Sequence, residues 1–364
     1  MHASKKRALW IVNGTLAVIV ILWTIPTIGL LISSIRQRDD IRSSGWWTVL
    51  PHQAWQDTGE RLPIPEGQTR DQPITIEGKT ATYAEWQQGV DMGDGRRIQW
   101  VGNLRLGELY VLNQNWTANT DFTLDNYGEV LAGREFEVRN ADGSSTTVQG
   151  ANLVGAFINS LTVTIPATII PILIAAFAAY GFAWMRFPGR RILFIGVVAM
   201  LVVPLQIALV PILRDYVALG LNGTYLGIWL AHAGFGLPLA IYLFYNYMSN
   251  LPRDILESAF IDGASHFTVF IRLILPLSIP ALAAFAIFQF LWVWNDYLVA
   301  LIFLGLNNNI QVMTTQIAGL VGQRGQDWYL LTAGAFISMI VPLIVFFALQ
   351  RYFVKGLMGG SVKG

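Results

Sequence analysis

The sequence has no cysteine and little charge. None of its 364 residues is a cysteine, which excludes disulfide bonds, thiolate catalysis and cysteine-ligated metal. Only 13% of the residues are charged, whereas 54% are hydrophobic. Soluble domains carry about 25% charge. A net charge of +1 offers no basic field to a nucleic acid. We therefore expect a membrane protein with no nucleic-acid partner.

The acidic residues are very unevenly distributed. Seventeen of the 23 acidic residues lie between positions 36 and 150, which leaves six for the rest of the chain. We predict three parts: an N-terminal tip with the first transmembrane helix (1–35), an insert domain (36–150) and a membrane core (151–364).

Six stretches are apolar and long enough to cross a bilayer, which takes about 20 residues. They are roughly 8–33, 154–184, 192–213, 225–248, 278–304 and 329–350. The first is about twice as long as the apolar part of a signal peptide, and no cleavage site of the A-x-A type follows it. We predict an all-α polytopic membrane protein with six transmembrane helices, the first of them uncleaved.

Basic residues predict the orientation, because they favour the cytoplasmic loops. With the N-terminus inside, eleven lysines and arginines lie on the cytoplasmic side, and the opposite short loops carry only Arg214 and Arg324. We predict a multi-pass protein of the inner cell membrane with both termini in the cytoplasm. The insert is then extracytoplasmic, and its alternating runs at 74–83 and 135–150 predict a β-rich domain.

The charged segment 249–277 interrupts the apolar chain with "ESAFIDGASHFTVFIRLILP" at 257–276. Asp254 and Glu257 have the spacing of a capping box, so we predict a short helix that begins after Pro252. Gly263 is expected to end this helix, and Ser265 to cap a second one.

Apolar residues in the second helix recur at i, i+3, i+4 and i+7, which predicts a single apolar stripe at the membrane surface; they are Phe267, Phe270, Ile271 and Ile274. Pro276 ends the pattern. The small residues Ala259 and Gly263 would let the backbone of another protein approach. The simpler interpretation is a well-formed cytoplasmic loop that binds nothing.

The motif Glu257-Ser258-Ala259, Gly263 and Leu275-Pro276 resembles the "EAA…G…I-LP" loop of permease subunits of binding-protein-dependent ABC importers, in particular the carbohydrate group with its maltose-type permeases. Further stretches resemble that group: FTLDNY (122–127), AAYGFAWMRFPGRR (178–191) and QRYFVKGLMGGSVKG (350–364). Residues 40–120 have no counterpart in ordinary six-span members, and an insert at this place is similar to alpha-glucoside-type permeases.

The resemblance implies a sugar permease that works by alternating access, driven by a separate ATPase. It assigns the ATPase-coupling role to the segment 249–277, the coupling segment, and within it to Glu257, Ser258, Ala259, Asp262, Gly263, Leu275 and Pro276. The tail from Lys355 to Gly364 would also meet the ATPase. The implied partners are a cytoplasmic ABC ATPase dimer, a second and different permease subunit, an extracytoplasmic solute-binding protein and membrane lipid.

No phosphate-binding loop of the form G-x-x-x-x-G-K-[ST] occurs in the sequence. We therefore expect no enzyme activity and no cofactor in this chain, with ATP and Mg²⁺ on the partner ATPase. His2, His52 and His266 show no metal-ligand spacing, so no metal site is expected.

Polar and aromatic residues in the spans are candidates for a sugar pathway: Gln206, Gln289, Trp292, Asn295 and Asp296. The alternative for the three amides is hydrogen bonding between helices, and for Asp296 it is an anchor at the outer interface within an aromatic belt. We expect His232 to be packed and hydrogen-bonded.

Two other functions are considered. A secondary transporter working alone would need ionisable groups for ion coupling, and the spans contain almost none. A membrane-anchored enzyme would need its site in 36–150, where no catalytic constellation is present.

Overall fold

The computed structural model describes residues 2–65, 69, 72–104, 107–133, 135–139, 145–149, 152–305, 310–320 and 328–358. The chain forms two compact units. The membrane unit consists of residues 1–38 and 123–364, and the polar unit consists of residues 39–122. The polar unit is shorter than the insert 36–150 predicted from the acidic residues.

In chain order the helices are α1 (His2–Ser34), α2 (Arg38–Ser43), α3 (Tyr83–Gln88), α4 (Asp125–Ala132), α5 (Leu153–Trp184), α6 (Arg190–Ala199), α7 (Leu205–Ala218), α8 (Tyr225–Ser249), α9 (Arg253–Ile261), α10 (His266–Val269), α11 (Leu275–Leu277), α12 (Ile279–Trp294), α13 (Leu298–Leu304), α14 (Met313–Leu320) and α15 (Trp328–Met358). Short 3₁₀ turns cover Trp46–Val49 and Met200–Val202, and a π-helical turn covers Phe270–Ile274. The strands are β1 (His52–Leu62), β2 (Ile74–Ile76), β3 (Lys79–Ala81), β4 (Val90–Asp91), β5 (Arg96–Val101), β6 (Glu108–Thr117), β7 (Glu135–Arg139) and β8 (Ser145–Gln149).

Four helices are long and apolar enough to cross a membrane by themselves: α1, α5, α8 and α15. Two bent pairs could each form one further span. Arg190–Val202 and Leu205–Ala218 meet at 105°, and His266–Leu277 and Ile279–Trp294 meet at 69°. The described residues thus hold four to six candidate spans, and the chain is a mostly helical, polytopic membrane protein.

The stretch predicted as the third span, 192–213, is not one straight helix. Val203 is extended (φ −71°, ψ 118°), and α7 begins only after Pro204. The proline ring clashes with a helical conformation of the preceding residue, which explains the break at this point. Pro211 and Pro238, in contrast, lie inside α7 and α8 without ending them.

The stretch predicted as the fifth span, 278–304, is also interrupted. Helix α12 ends at Trp294, and α13 begins at Leu298. The Asp296 carboxylate accepts hydrogen bonds from the amides of Val299 (3.3 Å) and Ala300 (2.8 Å). It thereby satisfies two free N–H groups at the start of α13, which a helix start otherwise leaves unpaired.

The core of the membrane unit lies between α5, α8 and α12. Gln289 of α12 is buried, and its amide donates to the main-chain oxygens of Ala167 in α5 (3.1 Å) and His232 in α8 (3.2 Å). One side chain therefore joins three helices. Apolar side chains fill the space around it in two clusters, centred on Phe244 and Phe285 and on Ile228 and Phe303.

The polar unit contains an antiparallel sheet with the strand order β1-β6-β5-β4, and a separate hairpin of β2 and β3. Ile98 and Trp100 alternate with more exposed residues along β5 and face a small core. Trp86 of α3 completes this core, and its indole N–H donates to the Ile74 carbonyl (3.0 Å).

Helix α3 begins with a full capping box. The Thr82 hydroxyl accepts from the Glu85 amide, and the Glu85 carboxylate accepts from both the amide and the hydroxyl of Thr82. The hydrogen bonds from Thr82, that of the backbone amide first, lower the pKa of Glu85 below its ordinary value of 4.5.

Candidate functional site

Helix α9 of the coupling segment begins two positions before the predicted capping box. The N-cap is Pro252, which makes no side-chain hydrogen bond. Asp254 therefore lies inside the first turn rather than at the cap, and the prediction of an Asp254–Glu257 box is wrong. A carboxylate in the first turn still interacts favourably with the helix dipole.

The end of α9 is a Schellman motif at Gly263. The amide of Ala264 donates to the Ala259 carbonyl (3.0 Å), and the amide of Gly263 donates to the Phe260 carbonyl (3.0 Å). Gly263 has φ +80°, a left-handed conformation that glycine adopts without strain. The predicted break at Gly263 is confirmed, and the motif makes it a defined corner rather than a loose joint.

The helix after this corner begins as predicted but does not continue regularly. The Ser265 hydroxyl accepts from the Thr268 amide and caps α10. A π-helical turn then follows at Phe270–Ile274. Val269, Phe270 and Ile274 are buried, whereas Phe267 is 66% exposed and Ile271 is 38% exposed. The single stripe through Phe267 and Ile271 is therefore wrong.

The predicted coupling residues divide between two faces of the segment. Glu257, Ser258, Asp262 and Gly263 are exposed, as is Pro276 further along. Ala259 and Leu275 are half-buried and pack against the chain's own core. The one fully buried residue of α9 is Leu256. Helix α9 is thus anchored on one side and open on the other.

The open face of α9 also carries apolar residues that sequence reasoning missed. Ile261 is 84% exposed, and Ile255 and Phe260 are partly exposed. The helical spacing of Ile255 and Ile261 relative to the buried Leu256 could have shown that these two lie away from the core, whereas Phe260, at i+4 from Leu256, shares its face. An exposed apolar side chain beside Glu257 and Asp262 gives the surface both hydrophobic and acidic character.

A cavity of about 420 Å³ opens beside the bend between α6 and α7. Three aromatic side chains line it: Tyr216 from α7, Phe235 from α8 and Trp292 from α12. Apolar residues such as Met200 and Leu205 complete the wall. Among the predicted pathway residues, Trp292 is the one that faces this cavity.

The other predicted pathway residues lie elsewhere. Gln289 is buried between three helices, as described above, and the Asn295 side chain donates to the Leu291 carbonyl of its own helix (2.8 Å). Gln206 is exposed. Asp296 is largely buried as the cap of α13. The structure does not bring the five residues together at one surface.

His232 is fully buried behind Trp292, with the two rings edge to face at 5.4 Å. Its Nε2 lies 3.8 Å from Oδ2 of Asp296. Within the described part of the chain neither ring nitrogen of His232 has a hydrogen-bond partner. The expectation of a packed histidine is confirmed, but that of a hydrogen-bonded one is wrong.

The tail that was expected to meet an ATPase is described only in part. Helix α15 continues to Met358, and residues 359–364 lie outside the described residues.

Comparison with known proteins decides the family. The model of the family "binding-protein-dependent transport system inner membrane component" matches residues 155–359. The chain belongs to this family. It is an inner-membrane permease of an ABC importer, and the family is one of transport components rather than enzymes.

Two relatives are similar to this permease along its whole length. The alpha-glucoside transport system permease of Rhizobium meliloti is 47% identical over 397 residues, covering 100% of both chains. The osmoprotective compounds uptake permease of Synechocystis sp. is 46% identical over 365 residues, covering 100% of this permease and 96% of the relative. The polar unit lies outside the family match but within both full-length similarities.

Among solved structures, a bacterial alginate ABC transporter in complex with a periplasmic protein is 17% identical, with a TM-score of 0.42, and the match covers 54% of this permease and 77% of that chain.

Proposed function

We propose that this permease imports an oligosaccharide or alpha-glucoside, and that a separate ATPase drives the import by binding α9. The observation that carries the proposal is the two-sided arrangement of α9: Leu256 anchors one face, while Glu257, Asp262 and Ile261 leave the other open. A short helix that is packed against the core of the membrane unit on one face can transmit to that core a force that the ATPase applies to the other face.

The proposed topology has six spans with both termini in the cytoplasm. It counts each bent helix pair as one span, and it is supported by the basic residues of the loops. The coupling segment then faces the cytoplasm, where an ATPase can reach it, and the β-rich polar unit faces outward.

The proposed assembly contains a cytoplasmic ABC ATPase dimer that binds ATP and Mg²⁺, a second and different permease, and an extracytoplasmic solute-binding protein. We assign contact with the binding protein to the polar unit, because both full-length relatives share it. Removing residues 45–120 should then abolish uptake that depends on the binding protein. Full uptake by the shortened chain would contradict this assignment.

The proposed sugar route passes the cavity lined by Tyr216, Phe235 and Trp292. Aromatic rings offer flat apolar faces together with a polar N–H or O–H group, the combination that sugar rings with their apolar C–H faces and hydroxyl groups require. Gln289, Asn295 and Asp296 then act through helix packing and capping, because their polar atoms are engaged within the chain.

Uptake of a radiolabelled alpha-glucoside tests the function, with the matching beta-glucoside and an osmoprotective solute as competitors. The permease is expressed with its ATPase, second permease and binding protein. ATP-dependent accumulation of the alpha-glucoside is expected. Gly263→Glu should abolish it while membrane insertion stays normal, because any side chain strains the corner at φ +80° and this one adds a charge to the exposed surface of the coupling segment. Undiminished uptake by this variant would contradict the coupling role.

A further inference from the structure

Tyr180 and His266 connect the transmembrane helix α5 to the coupling segment. The Tyr180 hydroxyl and Nδ1 of His266 are 2.9 Å apart, within hydrogen-bonding distance. Tyr180 lies one turn before the end of α5 and is 4% exposed, whereas His266 is the exposed first residue of α10. The contact therefore spans from the buried core to the surface of the coupling segment.

Aromatic rings extend this contact in both directions. The Phe260 ring of α9 packs edge to face on His266 at 4.9 Å. On the other side Tyr180 contacts Phe270 at 5.3 Å, and Phe270 contacts Phe177 of α5 at 4.6 Å. A continuous row of rings thus leads from α9 through His266 and Tyr180 into α5.

Apolar contacts hold α9 against the core. Leu256 is buried and Ala259 packs against the same core cluster, and such contacts are non-directional. The backbone enters α9 from α8, turns at Gly263 and leads through the π-helical turn into α12, so it does not join α9 directly to α5. A directional hydrogen bond fixes orientation where non-directional apolar packing does not.

We propose that Tyr180 and His266 are a positioning pair that holds α9 at a fixed angle to α5, so that movement of the gripped helix passes into α5 as well as into α12. The inference rests on the proposed function, since it assumes that α9 is gripped. It assigns to these residues neither contact with the ATPase nor contact with the sugar. Their effect is on how much transport each hydrolysed ATP produces.

The test measures sugar transported per ATP hydrolysed by the complete transporter in proteoliposomes. Tyr180→Phe removes the hydroxyl and keeps the ring, and His266→Phe keeps the ring contact with Phe260 and removes the nitrogen. Each should lower the ratio about fivefold, the effect of losing one hydrogen bond. Because both changes remove the same bond, the double variant should be no worse than either single variant.

The control is Tyr245→Phe. The Tyr245 hydroxyl has no hydrogen bond among the residues that the structure describes, and its ring packs at a tilt against Phe194. This variant should transport as much sugar per hydrolysed ATP as the unchanged protein. His266 is exposed, so His266→Phe leaves no cavity and tests the pair even where Tyr180→Phe reduces the amount of inserted protein.

An unchanged ratio in both single variants, or losses that add in the double variant, would overturn the positioning role. These outcomes differ from failure of the proposed function, in which the unchanged protein shows no ATP-driven uptake and Gly263→Glu has no further effect. In that case the inference fails with the function on which it rests.

Discussion

Gly236 of α8 packs directly against the side-chain amide of Gln289 in α12, so closely that a methyl group at position 236 would overlap it. The amide cannot move aside without losing its hydrogen bonds to Ala167 and His232. The absence of a side chain at Gly236 therefore allows α8 and α12 to lie this close together. It also leaves the Gln289 amide in the position from which it joins three helices.

Gly236→Ala should destabilise the permease by about 1–3 kcal/mol, the usual cost of overpacking a filled core. Thermal unfolding of the purified protein in detergent measures this. The matched control is Gly234→Ala on the same helix, where an added methyl group meets no atom within 4 Å. Equal unfolding temperatures for the two variants would contradict the packing described at Gln289.

Trp292→Ala should raise the KM for uptake by about fivefold, because a lost aromatic contact is worth roughly 1 kcal/mol. The basal ATPase rate of the assembled transporter should stay the same, since Trp292 lies near the end of α12 that is farther from the coupling segment, and lines the cavity. Phe288→Ala is the control, because Phe288 lies on the same helix, is 47% exposed and does not line the cavity. An unchanged KM in Trp292→Ala would remove the cavity from the sugar route.

The capping box of α3 should make the polar unit sensitive to acid. The pKa of Glu85 is lowered in the folded chain, so its contribution to stability is present above about pH 4.5, the ordinary glutamate value, and is lost as the pH falls through the lowered pKa. Hydrogen exchange of the α3 amides between pH 3 and 6, corrected for the intrinsic rate, should show protection lost toward acid pH. Glu85→Ala should show weaker protection with no such loss, and an identical pH profile in both proteins would contradict the role of the box.

Local signals in the sequence predicted the corner of the coupling segment well. Gly263 and Ser265 form the break and the cap that their residue types favour, because each depends on neighbours within five residues. The Asp254–Glu257 box failed for a related reason: Pro252 occupies the N-cap, and the register of the first turn follows from it.

Signals that depend on distant neighbours were harder to read. Pro204 breaks a helix while Pro211 does not, although both lie in the same apolar run. The π-helical turn at Phe270–Ile274 interrupts the regular helix, and no periodic pattern in the sequence predicts it. Gln289 and Asp296 are polar at membrane depth, but only the packed structure shows that one joins helices and the other caps α13.

The most direct test of the central claim uses the absence of cysteine. Ile261→Cys places one thiol on the open face of α9, at a position that is 84% exposed in the chain alone. A membrane-impermeant maleimide should label it in inside-out vesicles and not in intact cells. A bifunctional reagent should crosslink it to the ATPase subunit in the assembled transporter, and bound ATPase should slow the labelling. Labelling from outside the cell would contradict the account of α9 as the helix that the ATPase binds. So would labelling from inside that bound ATPase does not slow, together with no crosslink to the ATPase.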